Sequence, residues 1–148
     1  MSLKQELIDQ LNFMIGAIPE ELQRIVSDAL WLYFKSTMRF GCTSAQATAC
    51  NHVIREMSRI LKEEKYLLKL ILKNIDNIDL DEACDMIDTL DELNDRTYKS
   101  YDKVLGDVET ALELDNPSRT ILKTENIDSL ITNDTYKNQV LSLIKKEA

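Results

Sequence analysis

The chain has 148 residues, of which 44% are apolar and 30% are charged, with three glycines and two prolines. This composition fits one ordinary globular domain and excludes disordered, collagen-like and low-complexity classes. The 26 acidic and 18 basic side chains give a net charge of −8, and the whole acidic excess lies in residues 61–148. Such a charge repels phosphate backbones, so nucleic acid is not expected as a general partner.

The first two predicted helices lie within residues 1–41. Residues 3–18 carry an apolar side chain every three or four positions, which predicts one helix. Gly16 and Pro19 predict its end and the first turn of a second helix. Residues 29–34 are all apolar, so we expect the second helix to occupy the centre of the protein. The expected core residues of this run are Leu30, Trp31 and Phe34.

A long antiparallel helical hairpin is predicted next, at about residues 44–75 and 80–114. Gly41 is expected to end the preceding helix as a left-handed cap, and residues 43–46 have the pattern of a capping box. The Asn- and Asp-rich cluster at residues 74–79 predicts the turn, with Asp79 as the N-cap of the second long helix.

Apolar and charged stripes agree on one register for this hairpin. The apolar stripes place Leu67 near Ile87 and Val53 near Tyr101 when the register centres on the predicted turn. The same register sets a lysine stripe opposite an acidic stripe, and we expect these charges to select the pairing while the apolar seam supplies stability. The lysine stripe comprises Lys62, Lys65, Lys69 and Lys73; the acidic stripe comprises Asp81, Asp85, Asp88, Glu92 and Asp95.

The fold class is therefore an all-α, elongated helical bundle in a single domain spanning residues 1–148. Its predicted parts are two shorter N-terminal helices in residues 1–41, the hairpin in residues 42–114, and a C-terminal helical segment in residues 115–148. No apolar run reaches about 18 residues, so no contact with a membrane is expected. The three cysteines form no zinc or disulfide framework and are expected to be reduced thiols in a cytoplasmic protein.

Two surfaces are candidates for contact with a partner. The first is the acidic stripe, in a stretch with nine acidic and no basic residues from Asp76 to Asp95; a solvated helix face is its ordinary explanation. The second is an apolar arc of about 240° on the first hairpin helix, too wide for one neighbouring helix to cover. Either an N-terminal helix or a second copy of the chain, forming a homodimer, would complete its coverage. The residues of this arc are Tyr66, Leu68, Leu70 and Leu72.

No motif commits the chain to a chemistry. His52 is the only histidine, and no phosphate-binding glycine loop or catalytic triad is present, so no catalytic, metal or cofactor-binding residue is predicted. The prediction is a non-enzymatic protein-protein interaction module, such as an adaptor, inhibitor, immunity or assembly factor.

Two alternatives remain open. The turn near Gly41, with basic residues around it, has features of a helix-turn-helix and would serve a nucleic-acid-associated regulator. The residues around His52 resemble the phosphoaccepting helix of histidine phosphotransfer domains, which implies a phosphotransfer-like module. That pattern has a lysine three residues after the histidine and then a small residue, whereas this chain has Arg55 and the acidic Glu56.

Overall fold

Three long helices make up the part of the chain that the structure, a computed structural model, describes: residues 2–119 together with residues 138, 141 and 142. Helix α1 spans Leu3–Phe40, α2 spans Ala45–Lys73 and α3 spans Leu80–Glu113. Single 3₁₀ turns follow at Ile75–Asn77 and Pro117–Arg119, and no strand occurs in this part of the chain. The all-α helical bundle is confirmed. The predicted C-terminal segment lies, from residue 120 onward, outside the described residues apart from those three.

The prediction of two N-terminal helices is wrong, because α1 continues without a break through Gly16 and Pro19. A proline inside a helix lacks the N–H of one hydrogen bond and crowds the carbonyl four residues earlier, at a cost of about 3 kcal/mol. Apolar side chains on both sides of Pro19 offset this cost. Leu11, Ile18 and Ile25 are all buried, so the two halves of the helix pack on one continuous core.

The turn between α1 and α2 departs from the expected capping by one residue. Helix α1 ends where expected: Gly41 has a φ of 99°, and its N–H donates to the Thr37 carbonyl at 3.0 Å. Its ψ of 158° lies outside the left-handed helical region, so the predicted left-handed cap is wrong in detail. Ser44, not Thr43, is the N-cap of α2, and its hydroxyl accepts from the Ala47 N–H. The buried Gln46 side chain donates to the Pro117 carbonyl instead of completing a capping box.

Helices α2 and α3 form the predicted hairpin. The turn lies at residues 74–79, and the Asp79 carboxylate accepts from the N–H groups of Asp81 and Glu82 at 2.9 and 3.1 Å. The seam positions predicted to face each other are buried, and the rings of His52 and Tyr101 lie 6.0 Å apart, one position from the predicted Val53–Tyr101 pair. The buried seam residues are Val53, Met57, Leu67, Ile71, Ala83, Ile87, Thr97 and Tyr101.

Helix α1 completes an up-down-up three-helix bundle. Lys4, near its start, pairs with Asp76 in the turn between α2 and α3. Arg39, near its end, pairs with Asp115 just after α3, with the Arg39 Nε and Asp115 Oδ1 atoms 3.4 Å apart. These contacts place α1 antiparallel to α2 and parallel to α3. The larger of its two interfaces is with α2.

The expectation that Leu30, Trp31 and Phe34 lie in the core is wrong. Trp31 is 62% exposed, Phe34 is 61% exposed, and Leu30 is also exposed. The side of α1 that packs on α2 and α3 carries Ile25, Ala29, Leu32 and Ser36 instead. A helix at the edge of a three-helix bundle has neighbours on one side only, so a run that is apolar all round leaves half of its side chains in solvent.

Candidate interaction surface

An apolar outer face on α1 is the most prominent exposed feature of the described chain. We define the outer face as Leu30, Trp31, Phe34 and Met38, all of which are exposed, Met38 to 88%. At 100° per residue these four positions span about 100° of the helix and point away from the buried stripe. Aromatic and methionine side chains are enriched in protein interfaces, and tryptophan is frequent among residues that carry binding energy.

Aromatic and cationic contacts order this outer face. The Lys35 ammonium lies 4.7 Å from the centre of the Trp31 ring, a cation–π contact. The Phe34 ring meets the half-buried Tyr33 ring edge-on, with centroids 6.0 Å apart. Two of the exposed side chains are therefore held by neighbours before any partner arrives.

The sequence contained a signal for this face that the prediction missed. The 3-and-4 spacing of buried positions continues through Ile25, Ala29, Leu32 and Ser36, two of which are small. That stripe identifies the core side of the helix, and Leu30, Trp31 and Phe34 do not belong to it. The burial prediction was wrong because it used the hydrophobicity of residues 29–34 and not the direction in which each side chain points from the helix.

A groove runs beside the outer face, between the C-terminal halves of α1 and α3. Its free volume is about 450 Å³, within the range of about 300–1,000 Å³ that binding clefts occupy. Trp31 lines the groove, so the outer face and the groove form one surface. The groove also contains apolar side chains of both helices, four carboxylates and Lys35. The lining residues are Asp28, Trp31, Leu32, Lys35, Asp102, Leu105, Gly106, Glu109, Leu112 and Glu113.

The acidic stripe of α3 is exposed along its whole length, as an accessible surface requires. Within the described residues, however, no ion pair joins it to the lysine stripe of α2. Glu92 pairs with Arg96 and Asp95 pairs with Lys99, both on α3 itself. The predicted charge pairing across the hairpin is therefore absent from this structure. The register of the hairpin therefore rests on the apolar seam between α2 and α3.

Cys84, which lies among the carboxylates of this stripe, is held as a thiol. Partial burial and the charges of Asp88, Asp81 and Asp85 raise the pKa of Cys84, with a smaller contribution from Glu6. Burial raises the pKa of Cys50 to about 12. Neither sulfur has the lowered pKa that a reactive cysteine needs.

The second candidate surface, on α2, is mostly covered. Leu68 is fully buried, so it cannot contribute to an exposed interface, and Leu70 and Leu72 are half-buried. Tyr66 is the one member of the set that stays exposed. Helix α1 packs on α2, so an N-terminal helix, one of the two sources of cover that the sequence left open, is in place.

A polar layer interrupts the core halfway along the bundle. Glu64 of α2 is only 6% exposed, and its Oε2 atom has no hydrogen-bond partner among the described residues. Burial raises the pKa of Glu64 to about 8, with further contributions from the charges of Glu21 and Asp91. The Asn94 side-chain amide of α3 donates to the Glu21 carboxylate of α1 at 3.3 Å. Each of the three helices thus contributes a polar side chain at this level.

The residues that the alternative functions need are poorly placed. The His52 Nε2 atom is buried, with no hydrogen-bond partner in the described part of the chain, whereas a phosphoryl acceptor has to be open to its donor. At the start of α2, where a helix-turn-helix reads base edges, Gln46, Ala47 and Cys50 are buried. Neither alternative gains support from these positions.

No group of three or more histidine, cysteine or carboxylate side chains that could hold a metal ion occurs among the described residues. None of the described helices combines the length and apolar character needed to span a membrane. No protein-family model, curated protein or solved structure matches this chain.

Proposed function

We propose that this protein is a non-enzymatic interaction module that binds another protein through the outer face of α1. The observation that carries the proposal is the contiguous set of large exposed side chains, three of which are Trp31, Phe34 and Met38. Contiguous exposed apolar patches bordered by polar residues often mark protein–protein interaction sites. An adaptor, inhibitor, immunity factor or assembly factor would use such a face.

The three described helices give this face a rigid support. Helix α1 is held at its start by the Lys4–Asp76 pair, at its end by the Arg39–Asp115 pair, and along its length by the buried stripe. A partner would therefore meet a preformed surface, which lowers the conformational entropy lost on binding. We include a cytoplasmic location in the proposal, supported by three free cysteines of the kind that reducing compartments preserve.

A capture experiment tests the proposal. The tagged full-length chain and its Trp31→Ala/Phe34→Ala variant would be used to capture proteins from the native host, followed by mass spectrometry. The control is Phe13→Ala, since Phe13 is an aromatic residue of the same helix, more exposed than Trp31, about 27 Å from it and outside the outer face. We expect the double variant to lose its specific partner and the control to keep it.

The acidic stripe is tested in the same experiment. A variant carrying Asp85→Asn, Asp88→Asn and Glu92→Gln removes three charges from the stripe without touching α1. Loss of the partner in this variant alone would show that the contact lies on α3 and not on α1. Retention of all captured proteins by both variants would refute the proposal. A second copy of the chain as the partner would give a concentration-dependent dimer in sedimentation that Trp31→Ala/Phe34→Ala abolishes.

A further inference from the structure

The groove beside the outer face combines an apolar floor with an acidic rim. Its floor is built from Trp31 and Leu32 of α1 and from Leu105 and Leu112 of α3. Four carboxylates border it, and Lys35 is the single cation among its described lining residues. Lys35 keeps its positive charge while it lies over the Trp31 ring, so the lining has an excess of three negative charges. The rim carboxylates are Asp28, Asp102, Glu109 and Glu113.

The α3 side of the groove allows a close approach. Asp102, Gly106, Glu109 and Glu113 follow one another at spacings of four, three and four, so they lie on one face of α3. A Cβ atom at Gly106 would meet nothing within 4 Å, which shows open space above this residue. A glycine there lets the backbone or a large side chain of a bound helix come near the groove floor.

We infer that this groove binds a basic amphipathic helix, whose apolar side chains enter the floor while its lysines or arginines meet the acidic rim. The argument is charge complementarity: a floor suited to anchors at i, i+3, i+4 and i+7 is bordered by carboxylates in excess. A second copy of this acidic chain, docked by the same face, would set the two rims against each other. The inference rests on the proposed function and names the chemistry of the partner.

Trp31 is the only tryptophan of the chain, so its fluorescence reports on the groove directly. The probe is a synthetic, tryptophan-free helical peptide of about 18 residues, with leucines at i, i+3, i+4 and i+7 and lysines elsewhere. Its matched control carries glutamates in place of the lysines. Titration of the full-length protein with the lysine peptide should give a saturable blue shift, weaker at high salt because exposed charges are screened over about 8 Å. The glutamate peptide should give none.

Two charge-matched triple variants locate the binding site. Asp102→Asn/Glu109→Gln/Glu113→Gln should weaken binding of the lysine peptide about tenfold. Asp85→Asn/Asp88→Asn/Glu92→Gln removes the same charge from the other part of α3 and should weaken binding less than about twofold. Equal weakening by both variants would show attraction to net charge alone and would overturn the inference. So would equal affinity for the two peptides.

The outcomes also separate this inference from the proposed function. Capture of a native partner that depends on Trp31 and Phe34, without binding of the lysine peptide, would overturn the basic-helix inference and leave the interaction module standing. An emission maximum that is already short in the free protein and unmoved by the peptide would show a covered groove, and would also overturn the inference. Failure of both experiments would overturn both conclusions.

Discussion

Replacement of Glu64 by glutamine should abolish a pH dependence that the buried carboxyl imposes on stability. In the folded protein burial raises the pKa of Glu64 from 4.5 to about 8, so the neutral acid is the form that the core accepts. The unfolded chain releases this proton near pH 4.5, whereas the folded chain keeps it until about pH 8. The stability that the neutral acid confers is therefore fully present below the unfolded pKa and is lost as pH rises towards the folded one.

The size of the effect follows from the two pKa values. At about 1.4 kcal/mol per pKa unit, this carboxyl lowers the free energy of unfolding by about 3–4 kcal/mol between pH 5 and pH 8. Glutamine has nearly the same shape and no charge to lose. Glu64→Gln should therefore be about as stable as the wild type at pH 5 and about 3 kcal/mol more stable at pH 8.

Urea unfolding followed by circular dichroism at pH 5 and pH 8 measures both quantities. The matched control is Glu20→Gln, which makes the same chemical change at an exposed glutamate of α1. It should leave the difference between the two pH values as in the wild type. A wild type and a Glu64→Gln variant that lose the same stability between pH 5 and pH 8 would refute the reasoning.

Three further predictions concern the core and α1. Native Trp31 emission should be red-shifted, as for a solvated indole, and a blue-shifted maximum would contradict the exposure of the outer face. Met57→Ala should cost about 2–5 kcal/mol in urea unfolding because Met57 is fully buried, whereas Met38→Ala should leave stability within about 0.5 kcal/mol. Pro19→Ala should stabilise the protein by about 1–3 kcal/mol by restoring a helical hydrogen bond to the Ile15 carbonyl, and a neutral or destabilising effect would instead favour a helix starting at Pro19.

The hairpin could be predicted because its signals are long and mutually consistent. Core positions spaced by three and four extend along α2 and α3, with polar side chains such as Glu64 and Asn94 at a few of them. The Asn- and Asp-rich residues 74–79 separate the two patterns. The Asp79 cap depends on adjacent residues only, so local chemistry was enough to locate it. A helical period of this length predicts the fold class because no other element repeats that way.

The continuity of α1 through Gly16 and Pro19 was not predictable from local signals. Gly16 and Pro19 both disfavour a helix, and only the packing of Ile18 and its neighbours in the core outweighs them. The predicted ion pairs across the hairpin are absent for a different reason, the small energy of exposed ion pairs. Two exposed stripes can match in number and spacing without contact, because a solvated pair gains only about 0–1 kcal/mol and does not hold long side chains together.

The outer face of α1 also follows from what the core side requires. The buried stripe carries Ala29 and Ser36, and small residues there let α1 approach its neighbours closely. Turning the helix to bury Trp31 and Phe34 would overfill that space, which costs about 1–3 kcal/mol for even modest excess volume. It would also separate Glu21 from the Asn94 amide and break the polar layer. Packing and the polar layer thus hold the aromatic residues outward, where a partner can reach them.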